Sequence, residues 1–366
     1  MVFMPLDFLL RWLTGLLSIA LLGGGIYILH EWYEGELAAL VWLILGWTMV
    51  IWSCVGFLPL GLLRRRGRDE PKMQRSRETQ RLMRPDGSAI HVEFYGSPNA
   101  PPVILTHGWG PNSTVWYYAK KQLAKHFYLI VWDLPGLGKS TKPKNRDYSI
   151  EKYARDLEAV LSLVERPAVL LGHSMGGMII LTFCRLFPEH LGKLVAGLIL
   201  VDTTYTNPLK TAVFSRILTA LHKPLLKPLL YLTIALSPLL WLISVLSYLN
   251  GSMYLTTEIS GFTGRETRGQ LDFSTRLGLL ASPGVLARGV LAMFNYDETK
   301  TLPAINIPVQ VIVGQSDIAT VLAANRRISI DIPQAELVVL RPAGHMGLME
   351  CNTQFAQAVG LFKVLQ

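Results

Sequence analysis

The first sixty residues of the chain are organised differently from the rest. Residues 12–29 and 37–63 form two uncharged, strongly apolar runs, and the short segment between them is acidic. A membrane-spanning helix needs about 20 predominantly apolar residues. The second run meets this length easily, whereas the first is marginal because its three consecutive glycines weaken a helix. The pattern predicts a transmembrane helical hairpin over residues 1–63.

Two other interpretations of this segment stay open. A single anchor helix would need only one of the two runs, and a cleaved signal peptide would need only the first. A signal peptide normally has a basic start and small residues at its cleavage site, and residues 1–29 show neither pattern convincingly. The hairpin anchor is therefore the favoured prediction.

After a polar stretch, short continuous apolar runs alternate with segments in which apolar residues recur at helical spacing. Continuous apolar strands separated by helices are typical of a parallel sheet that is buried on both faces. Helices are predicted at residues 149–165, 175–187 and 352–365, and Ser149 is a suitable N-cap for the first. The pattern therefore predicts one α/β domain over residues 81–366. Strands are predicted at residues 80–84, 90–95, 103–106, 128–132, 168–171, 198–201, 309–313 and 336–340.

Composition and charge support this division of the chain. The 366 residues are 50% hydrophobic and only 17% charged, whereas typical soluble domains have about 25% charged residues. The net charge of +9 is concentrated in residues 64–84, which contain nine lysines and arginines but three acidic residues. Such a run directly after an apolar segment is typical of the cytoplasmic flank of a membrane helix. We therefore predict a basic juxtamembrane linker over residues 64–80, a following domain on the cytoplasmic side, and no nucleic-acid partner.

Two kinds of site are disfavoured by the residues available. Cys54, Cys184 and Cys351 are far apart and lack metal-ligand spacing, which argues against a disulfide framework and a zinc site. The Gly-Lys-Ser-Thr stretch at residues 138–141 is similar to the end of a phosphate-binding loop, but that motif requires glycine where Asp133 stands. Neither a metal site nor a nucleotide site is predicted.

The strongest chemical signal is the stretch Gly-His-Ser-Met-Gly-Gly at residues 172–177. It lies between a predicted strand and a predicted helix, which is the context required for a nucleophile elbow. Gly172 and Gly176 flank the serine and remove side chains that would collide in such a tight turn. Ser174 is therefore the predicted nucleophile, with His173 in a structural position beside it. The alternative is an ordinary turn between a strand and a helix.

The base and the acid that would activate this serine should follow later strands. His345 comes after the last predicted strand, whereas His107 belongs to a different loop. Asp317 follows the strand at residues 309–313, and Asp202 ends an earlier strand. His345 is the predicted base, and Asp317 is the predicted acid that orients it. Asp202 is the alternative acid, with a capping carboxylate as its other interpretation.

A site for acyl transfer also needs two backbone N–H groups that stabilise an oxyanion. Met175, directly after the serine, is the first predicted donor. Trp109 is the second, because it lies in the Thr-His-Gly-Trp-Gly stretch that follows an early predicted strand. Its side chain is also suited to line a pocket, which is compatible with a role for its amide.

Together these motifs resemble the α/β-hydrolase superfamily. The resemblance rests on His-Gly-Trp at residues 107–109, Asp-Leu-Pro-Gly-Leu-Gly-Lys-Ser at 133–140, the elbow at 172–177, Asp317, and Gly-His ending at His345. It implies a mostly parallel eight-stranded sheet with helices on both faces, a Ser-His-Asp triad and no cofactor. Epoxide hydrolases and haloalkane dehalogenases of this family are disfavoured because they carry aspartate at the nucleophile position. The chain departs from the family after Asp317, where Ile-Ala-Thr replaces a frequent proline.

About 100 residues precede the strand that carries the predicted acid, too many for a loop. In the α/β-hydrolase fold this place holds a cap, predicted here as a helical insert over about residues 203–300. Within it, residues 228–249 are uncharged and long enough for a third membrane span. A single crossing there would put Ser174 and His345 on opposite sides of the bilayer. We therefore expect cap helices that line an apolar tunnel or enter the membrane interface, or that simply pack on the core.

The sequence thus predicts a membrane-anchored serine hydrolase that cleaves carboxylic esters, with lipid-like acyl chains, through an acyl-enzyme. Its predicted partners are a small-molecule acyl ester and the membrane bilayer, and its oligomeric state stays open. The alternatives on the same triad are a thioesterase, an acyltransferase or a C–C bond hydrolase. An alternative of another class is a catalytically silent membrane-anchored binding module.

Overall fold

The computed structural model describes residues 4–365, and one sheet organises most of the chain. Its eight strands are β1 (Thr79–Met83), β2 (Ala89–Tyr95), β3 (Pro102–Thr106), β4 (Tyr128–Trp132), β5 (Ala168–His173), β6 (Val195–Val201), β7 (Val309–Gly314) and β8 (Ala335–Leu340). The strand order is β1-β2-β4-β3-β5-β6-β7-β8. β2 runs antiparallel to β1 and β4, and all other neighbouring strands are parallel.

The helices fall into four groups: those before the sheet, those between its strands, those inserted between β6 and β7, and those after β8. The sixteen α-helices of the described residues are α1 (Met4–Tyr33), α2 (Leu40–Val55), α3 (Phe57–Leu62), α4 (Tyr117–Leu123), α5 (Ile150–Leu161), α6 (Met175–Leu186), α7 (Pro208–Thr211), α8 (Ser215–Leu221), α9 (Lys227–Ala235), α10 (Ser237–Leu249), α11 (Ser252–Gly261), α12 (Arg268–Leu280), α13 (Pro283–Met293), α14 (Leu322–Asp331), α15 (Gly347–Glu350) and α16 (Asn352–Gly360).

The eight-stranded, mostly parallel sheet confirms the predicted fold class. β3, β5 and β7 are buried along their entire lengths, which explains why their sequences are continuous apolar runs. β1, at the edge of the sheet, is mostly exposed. α5 begins directly after Ser149, whose side chain accepts a hydrogen bond from the Lys152 N–H at 3.2 Å. This is the N-cap that the sequence indicated.

The first apolar run forms the longer N-terminal helix, although the sequence favoured the second run as the longer one. α1 continues through the three consecutive glycines, and its segment Leu9–Tyr33 is long and apolar enough to cross a membrane. The second apolar run is divided into α2 and α3 at Gly56, where a Cβ would lie 2.6 Å from the Asn250 carbonyl oxygen. The glycines of α1 allow close packing on α2, since a Cβ at Gly25 would lie 3.1 Å from the Gly46 carbonyl oxygen. A hairpin that crosses the membrane twice stays a prediction.

Helices α7 to α13 lie between β6 and β7, where the cap was predicted. The uncharged stretch of the cap is not a straight helix, because the helical segment that ends with α9 meets α10 at 99°. α1 packs directly on these helices. Trp12 Nε1 donates to the Thr233 hydroxyl at 3.1 Å, and the Ser18 and Ser247 hydroxyls are 2.9 Å apart. The N-terminal helix and the cap therefore form one packed unit.

The predicted juxtamembrane linker contains no helix or strand until β1 begins, but it is bound to the domain. Arg75 Nη1 lies 2.6 Å from Glu93 and 2.8 Å from Asp133, and both carboxylates are fully buried. At the start of the segment, Arg64 forms an ion pair with Glu258 of α11. The segment thus connects the N-terminal helices to both the sheet and the cap.

Candidate active site

Ser174 occupies a sharp turn between β5 and α6. Its backbone has a φ of 54° and a ψ of −119°, a strained conformation for a residue with a side chain. A Cβ on Gly172 would lie 2.5 Å from the Gly176 backbone, and a Cβ on Gly176 would lie 2.2 Å from the Thr106 carbonyl oxygen. The two glycines therefore allow α6 to begin directly against β3 and β5. The turn holds Ser174 at the N-terminus of α6, where the helix dipole favours negative charge.

His345 and Asp317 lie together in the loops that follow β8 and β7. His345 Nδ1 is 2.7 Å from Asp317 Oδ2, and both side chains are fully buried. Asp317 also accepts hydrogen bonds from the Ala319 N–H at 2.7 Å, the Thr320 N–H at 3.1 Å and the Thr320 hydroxyl at 2.7 Å. Burial opposes the ionisation of Asp317, but His345 and Thr320 outweigh it and lower its pKa below the ordinary value. The carboxylate is therefore held in its charged form.

Asp202, the alternative acid, lies beside this pair but does not take the place of Asp317. Its Oδ1 accepts from the Gly314 N–H at 2.7 Å, and its Oδ2 has no partner among residues 4–365. Burial and the neighbouring Asp317 raise the pKa of Asp202 well above its ordinary value. Donor atoms of Asp202, Asp317 and His345 lie within 4.8 Å of one another, close enough for three metal ligands. Asp317 Oδ2 and His345 Nδ1 are, however, already joined by their hydrogen bond and are not free to bind a metal ion.

The second ring nitrogen of His345, Nε2, does not contact Asp317. This nitrogen is buried and has no hydrogen-bond partner in the described part of the chain, and this includes Ser174. The His345 carbonyl oxygen accepts from His173 Nε2 at 3.0 Å, and the two imidazole centroids are 4.8 Å apart. Burial and the neighbouring His345 lower the pKa of His173, so its ring stays neutral. Because His173 precedes Ser174, this contact ties the His345 loop to the elbow.

The loop that carries Trp109 approaches the elbow closely. A Cβ on Gly108 would lie 3.1 Å from Ser174 Cβ. Within residues 4–365, neither the Trp109 N–H nor the Met175 N–H donates to a protein acceptor. In this part of the chain, two backbone N–H groups therefore have no protein acceptor, one directly after Ser174 and one in the loop beside it.

His107 orients one of these donors, a role that the sequence analysis missed. Its Nε2 accepts from the Leu134 N–H at 3.0 Å, so its Nδ1 carries the proton and donates to the Gly108 carbonyl oxygen at 2.7 Å. Burial lowers the pKa of His107, which keeps the ring in the neutral form that this arrangement requires. The Gly108 carbonyl and the Trp109 N–H belong to one planar peptide and point in opposite directions. The only signal in the sequence was the position of His107 directly before Gly108.

The Trp109 side chain connects the loop beside Ser174 to the cap. Its indole Nε1 donates to the Leu286 carbonyl oxygen of α13 at 2.9 Å. A Cβ on Gly289 of the same helix would lie only 2.1 Å from the Trp109 ring. The residue that offers a backbone donor beside Ser174 thus also supports the cap.

A strained serine at a strand-to-helix turn, on a mostly parallel sheet, defines an α/β protein of the hydrolase class. A comparison of this sequence with known protein families agrees with the geometry, because the alpha/beta hydrolase fold family matches residues 101–350. The chain therefore belongs to the α/β-hydrolase family.

Individual relatives are similar to this chain over different lengths. A protein of Stutzerimonas stutzeri named a carbamate hydrolase is 24% identical over 271 residues, covering 73% of this chain and 94% of that protein. The pimeloyl-acyl-carrier-protein methyl ester esterase of Aeromonas salmonicida is 36% identical over 107 residues, or 29% of this chain and 40% of the esterase. The chain matches only 28% of the length of an uncharacterised Mycobacterium bovis relative. A thermophilic esterase from Thermogutta terrifontis has a TM-score of 0.62 at 25% identity, covering 79% of this chain and 100% of that one.

Proposed function

We propose that this protein is a membrane-anchored serine hydrolase that cleaves carboxylic esters with lipid-like acyl chains. One observation carries the proposal: a strained serine directly follows His173, which contacts His345. One ring nitrogen of His345 is bound to Asp317, and the other has no hydrogen-bond partner within the described residues. In this proposal Ser174 is the nucleophile, His345 is the general base and Asp317 orients His345. Asp202 does not act as the acid, because the His345 hydrogen bond goes to Asp317.

The reaction proceeds through an acyl-enzyme. Ser174 Oγ attacks the ester carbonyl carbon while His345 Nε2 takes the serine proton. The Trp109 and Met175 N–H groups stabilise the oxyanion, and donors of this kind contribute about 3 kcal/mol each. The bond to the alcohol then breaks, and His345 gives its proton to the leaving oxygen. Water attacks the acyl-enzyme by the same route, which releases the carboxylic acid and restores Ser174.

Membrane attachment is supported by the surface of the N-terminal helices and of the cap. α1 is long and apolar enough to cross a membrane. Large apolar side chains are exposed on α1, α2 and α10, for example Leu16, Trp47 and Trp241, and contiguous exposed apolar surface marks contact with a membrane or a partner. The basic residues after α3 favour a catalytic domain on the cytoplasmic side. The hairpin topology of α1 and α2 belongs to the same proposal.

The substrate class is supported by the cap and by the names of the relatives. Two of the proteins similar to this chain are named esterases, and carbamate hydrolysis also begins with attack on a carbonyl carbon. The apolar helices of the cap are covered by α1 on one side and contact Trp109 on the other. An acyl chain that enters from the bilayer would therefore meet apolar surface along its path to Ser174.

Fluorophosphonate labelling of the detergent-solubilised chain tests the proposal. Wild type and Ser174→Ala would be compared, and p-nitrophenyl esters from short to long acyl chains would then be assayed. We expect labelling that disappears in the variant and turnover that rises with chain length. Labelling without turnover of any ester would overturn the ester assignment in favour of a thioesterase, an acyltransferase or a C–C bond hydrolase. Absence of labelling in both proteins would favour a silent binding module.

A further inference from the structure

A cavity of about 490 Å³ lies where the N-terminal helices end against the cap. Its walls come from α3, the loop after α3, and the facing parts of α10, α11 and α12. Ser174, Asp317 and His345 do not line it. α3 ends the second apolar run, and the basic run begins directly afterwards. The cavity therefore lies at the boundary between the apolar helices and the basic segment.

Three arginines line this cavity, and two of them are unpaired. Within the described residues, the side chains of Arg66 and Arg268 form no hydrogen bond or ion pair, and Arg276 makes only a 3.6 Å contact with Asp272. Arg268 is half-buried, and its Nε would lie 3.3 Å from a Cβ on Gly61 of α3. Guanidinium groups present paired N–H donors that match the oxygens of a phosphate or a carboxylate. These donors are available to an anion.

The two carboxylates of the cavity wall are already engaged. Glu70 accepts hydrogen bonds from the Gly67 N–H and the Thr267 hydroxyl. Asp272 accepts from the hydroxyl of Tyr248 in α10 at 2.8 Å and from the hydroxyl of Tyr254 in α11. Neutral donors thus occupy about half of the acceptor positions of the two carboxylates. The carboxylates keep their charge, but three arginines line the same cavity, so the lining retains a net charge of +1.

A smaller cavity of about 130 Å³ adjoins the first, and the two share Tyr254 in their walls. Four leucines form most of its lining, and one of them, Leu63, is 80% exposed. A site with cationic donors on one side and leucines on the other matches an amphiphile rather than a free anion. The lining leucines are Leu60, Leu63, Leu255 and Leu271.

We propose that this pair of cavities binds an anionic phospholipid. The phosphate group lies between Arg66, Arg268 and Arg276, and part of an acyl chain lies against the leucines. The proposal rests on the proposed membrane attachment but not on the catalytic assignment. A lipid held in this place joins α3 to α11 and α12, and thereby strengthens the contact between the N-terminal helices and the cap.

The test uses the full chain in detergent with a Ser174→Ala background, which removes hydrolysis of the probes. Binding of dihexanoyl-phosphatidylglycerol and dihexanoyl-phosphatidylcholine would be measured by native mass spectrometry. The test variant is Arg66→Gln with Arg268→Gln. The matched control is Arg68→Gln with Arg265→Gln, because these exposed arginines lie in the same two segments but outside the cavity walls.

We expect the anionic lipid to bind at least about 10-fold more tightly than the zwitterionic one, with a loss of about 10-fold or more in the test variant. The control should change binding less than about 2-fold. Equal losses in both variants, or no preference for the anionic lipid, would overturn the proposal. Displacement of the lipid by equal concentrations of inorganic phosphate or glycerol phosphate would overturn the assignment to a lipid and indicate a site for a soluble phosphate.

Two further measurements keep this test independent of folding and of catalysis. Arg66→Lys with Arg268→Lys keeps the charge but loses the paired donors, so we expect an intermediate affinity even if the glutamine variant is unstable. Fluorophosphonate labelling of the chain with Ser174 restored should be equal in the test and control variants. Failed lipid binding with intact labelling would overturn only the present inference, and failed labelling with intact lipid binding would overturn only the catalytic proposal.

Discussion

Asp202 and Asp317 are buried carboxyl groups less than 5 Å apart, and their surroundings differ. Two adjacent carboxylates in a low-dielectric site cannot both ionise without a large cost. Asp317 is stabilised by His345, two backbone N–H groups and the Thr320 hydroxyl. Among the described residues, the hydrogen bond that Asp202 accepts comes from the Gly314 N–H. The negative charge is therefore placed on Asp317, while Asp202 retains its proton.

Substitution of each aspartate by asparagine should separate their roles. Asp202→Asn replaces a neutral acid by a neutral amide that still accepts from the Gly314 N–H, so we expect kcat/KM within about 3-fold of wild type. Asp317→Asn removes the charge that orients His345 and should lower kcat by about 10³- to 10⁴-fold. The measurement is hydrolysis of a p-nitrophenyl ester by folded variants. The reverse ranking would assign the acid role to Asp202.

The difference in stability between Asp202→Asn and wild type should also depend on pH. Because the folded-state pKa of Asp202 is raised, the folded protein keeps a proton that the unfolded chain releases above about pH 4. The contribution of this group to stability therefore falls as pH rises through this range, by at most about 1.4 kcal/mol per pH unit. The variant lacks this loss. We expect its Tm to increase relative to wild type between about pH 5 and pH 8, and a constant difference would contradict a protonated Asp202.

His107→Ala should impair the oxyanion site without changing the triad. The substitution removes the hydrogen bond to the Gly108 carbonyl oxygen, so the Trp109 N–H loses its fixed direction. Loss of a whole oxyanion donor costs about 10²- to 10³-fold in kcat. A donor that is only misdirected should cost about 10-fold, with KM nearly unchanged. Ester kinetics beside the exposed control His126→Ala would check this, and unchanged kcat in folded His107→Ala would refute the role.

The sequence indicated the residues of the site that lie at the ends of strands. Ser174, Asp317 and His345 were predicted because apolar runs place them after strands of one parallel sheet, and the structure puts them after the carboxyl ends of β5, β7 and β8. The role of His107 depends on the Leu134 N–H, 27 residues away, which no local pattern reveals. Thr320 likewise donates its hydroxyl to Asp317, a contact that the sequence pattern did not indicate.

Among the helices, the packing of α1 on α2 depends on two glycines that face each other. A Cβ on Gly25 would lie 2.9 Å from Met49 Cβ, whereas a Cβ on Gly23 would have no atom within 4 Å. Gly25→Ile should therefore force the helices apart and destabilise the detergent-solubilised protein by about 1–3 kcal/mol. Gly23→Ile is the matched control and should be tolerated. The Tm values would check this, and equal losses would mean that the glycines matter only for helix propensity.

Helix lengths in this region could not be derived from composition. The three consecutive glycines of α1 lower intrinsic helix propensity, yet they occur in a continuous helix because Gly25 packs on α2. The break at Gly56 lies against Asn250, a contact between residues almost 200 positions apart. The strands were easier to predict, since burial on both faces of the sheet leaves a continuous apolar run in the sequence itself.

For the whole molecule, the N-terminal helices and the cap are not separate modules. α1 covers Thr233 of α9 and Ser247 of α10, which are each 3% exposed. Beside this covered surface, α10 already exposes Leu239, Trp241 and Leu242. Removal of α1 would add the covered surface to this exposed apolar face. A helix that served only for membrane attachment could be removed without consequence for the domain, but α1 also shields the cap.

We therefore predict that deletion of residues 1–63 leaves a protein that still needs detergent. The apolar face of α9 and α10 should bind detergent or lipid, or cause aggregation, because exposed contiguous apolar surface promotes association. The measurement is ultracentrifugation of the truncated protein with and without detergent, with fluorophosphonate labelling of each fraction. Adding Leu239→Gln, Trp241→Gln and Leu242→Gln to the truncation should increase the labelled protein in the supernatant. A monodisperse, fully labelled truncation in plain buffer would show instead that the cap folds stably without α1 and that the anchor is only a tether.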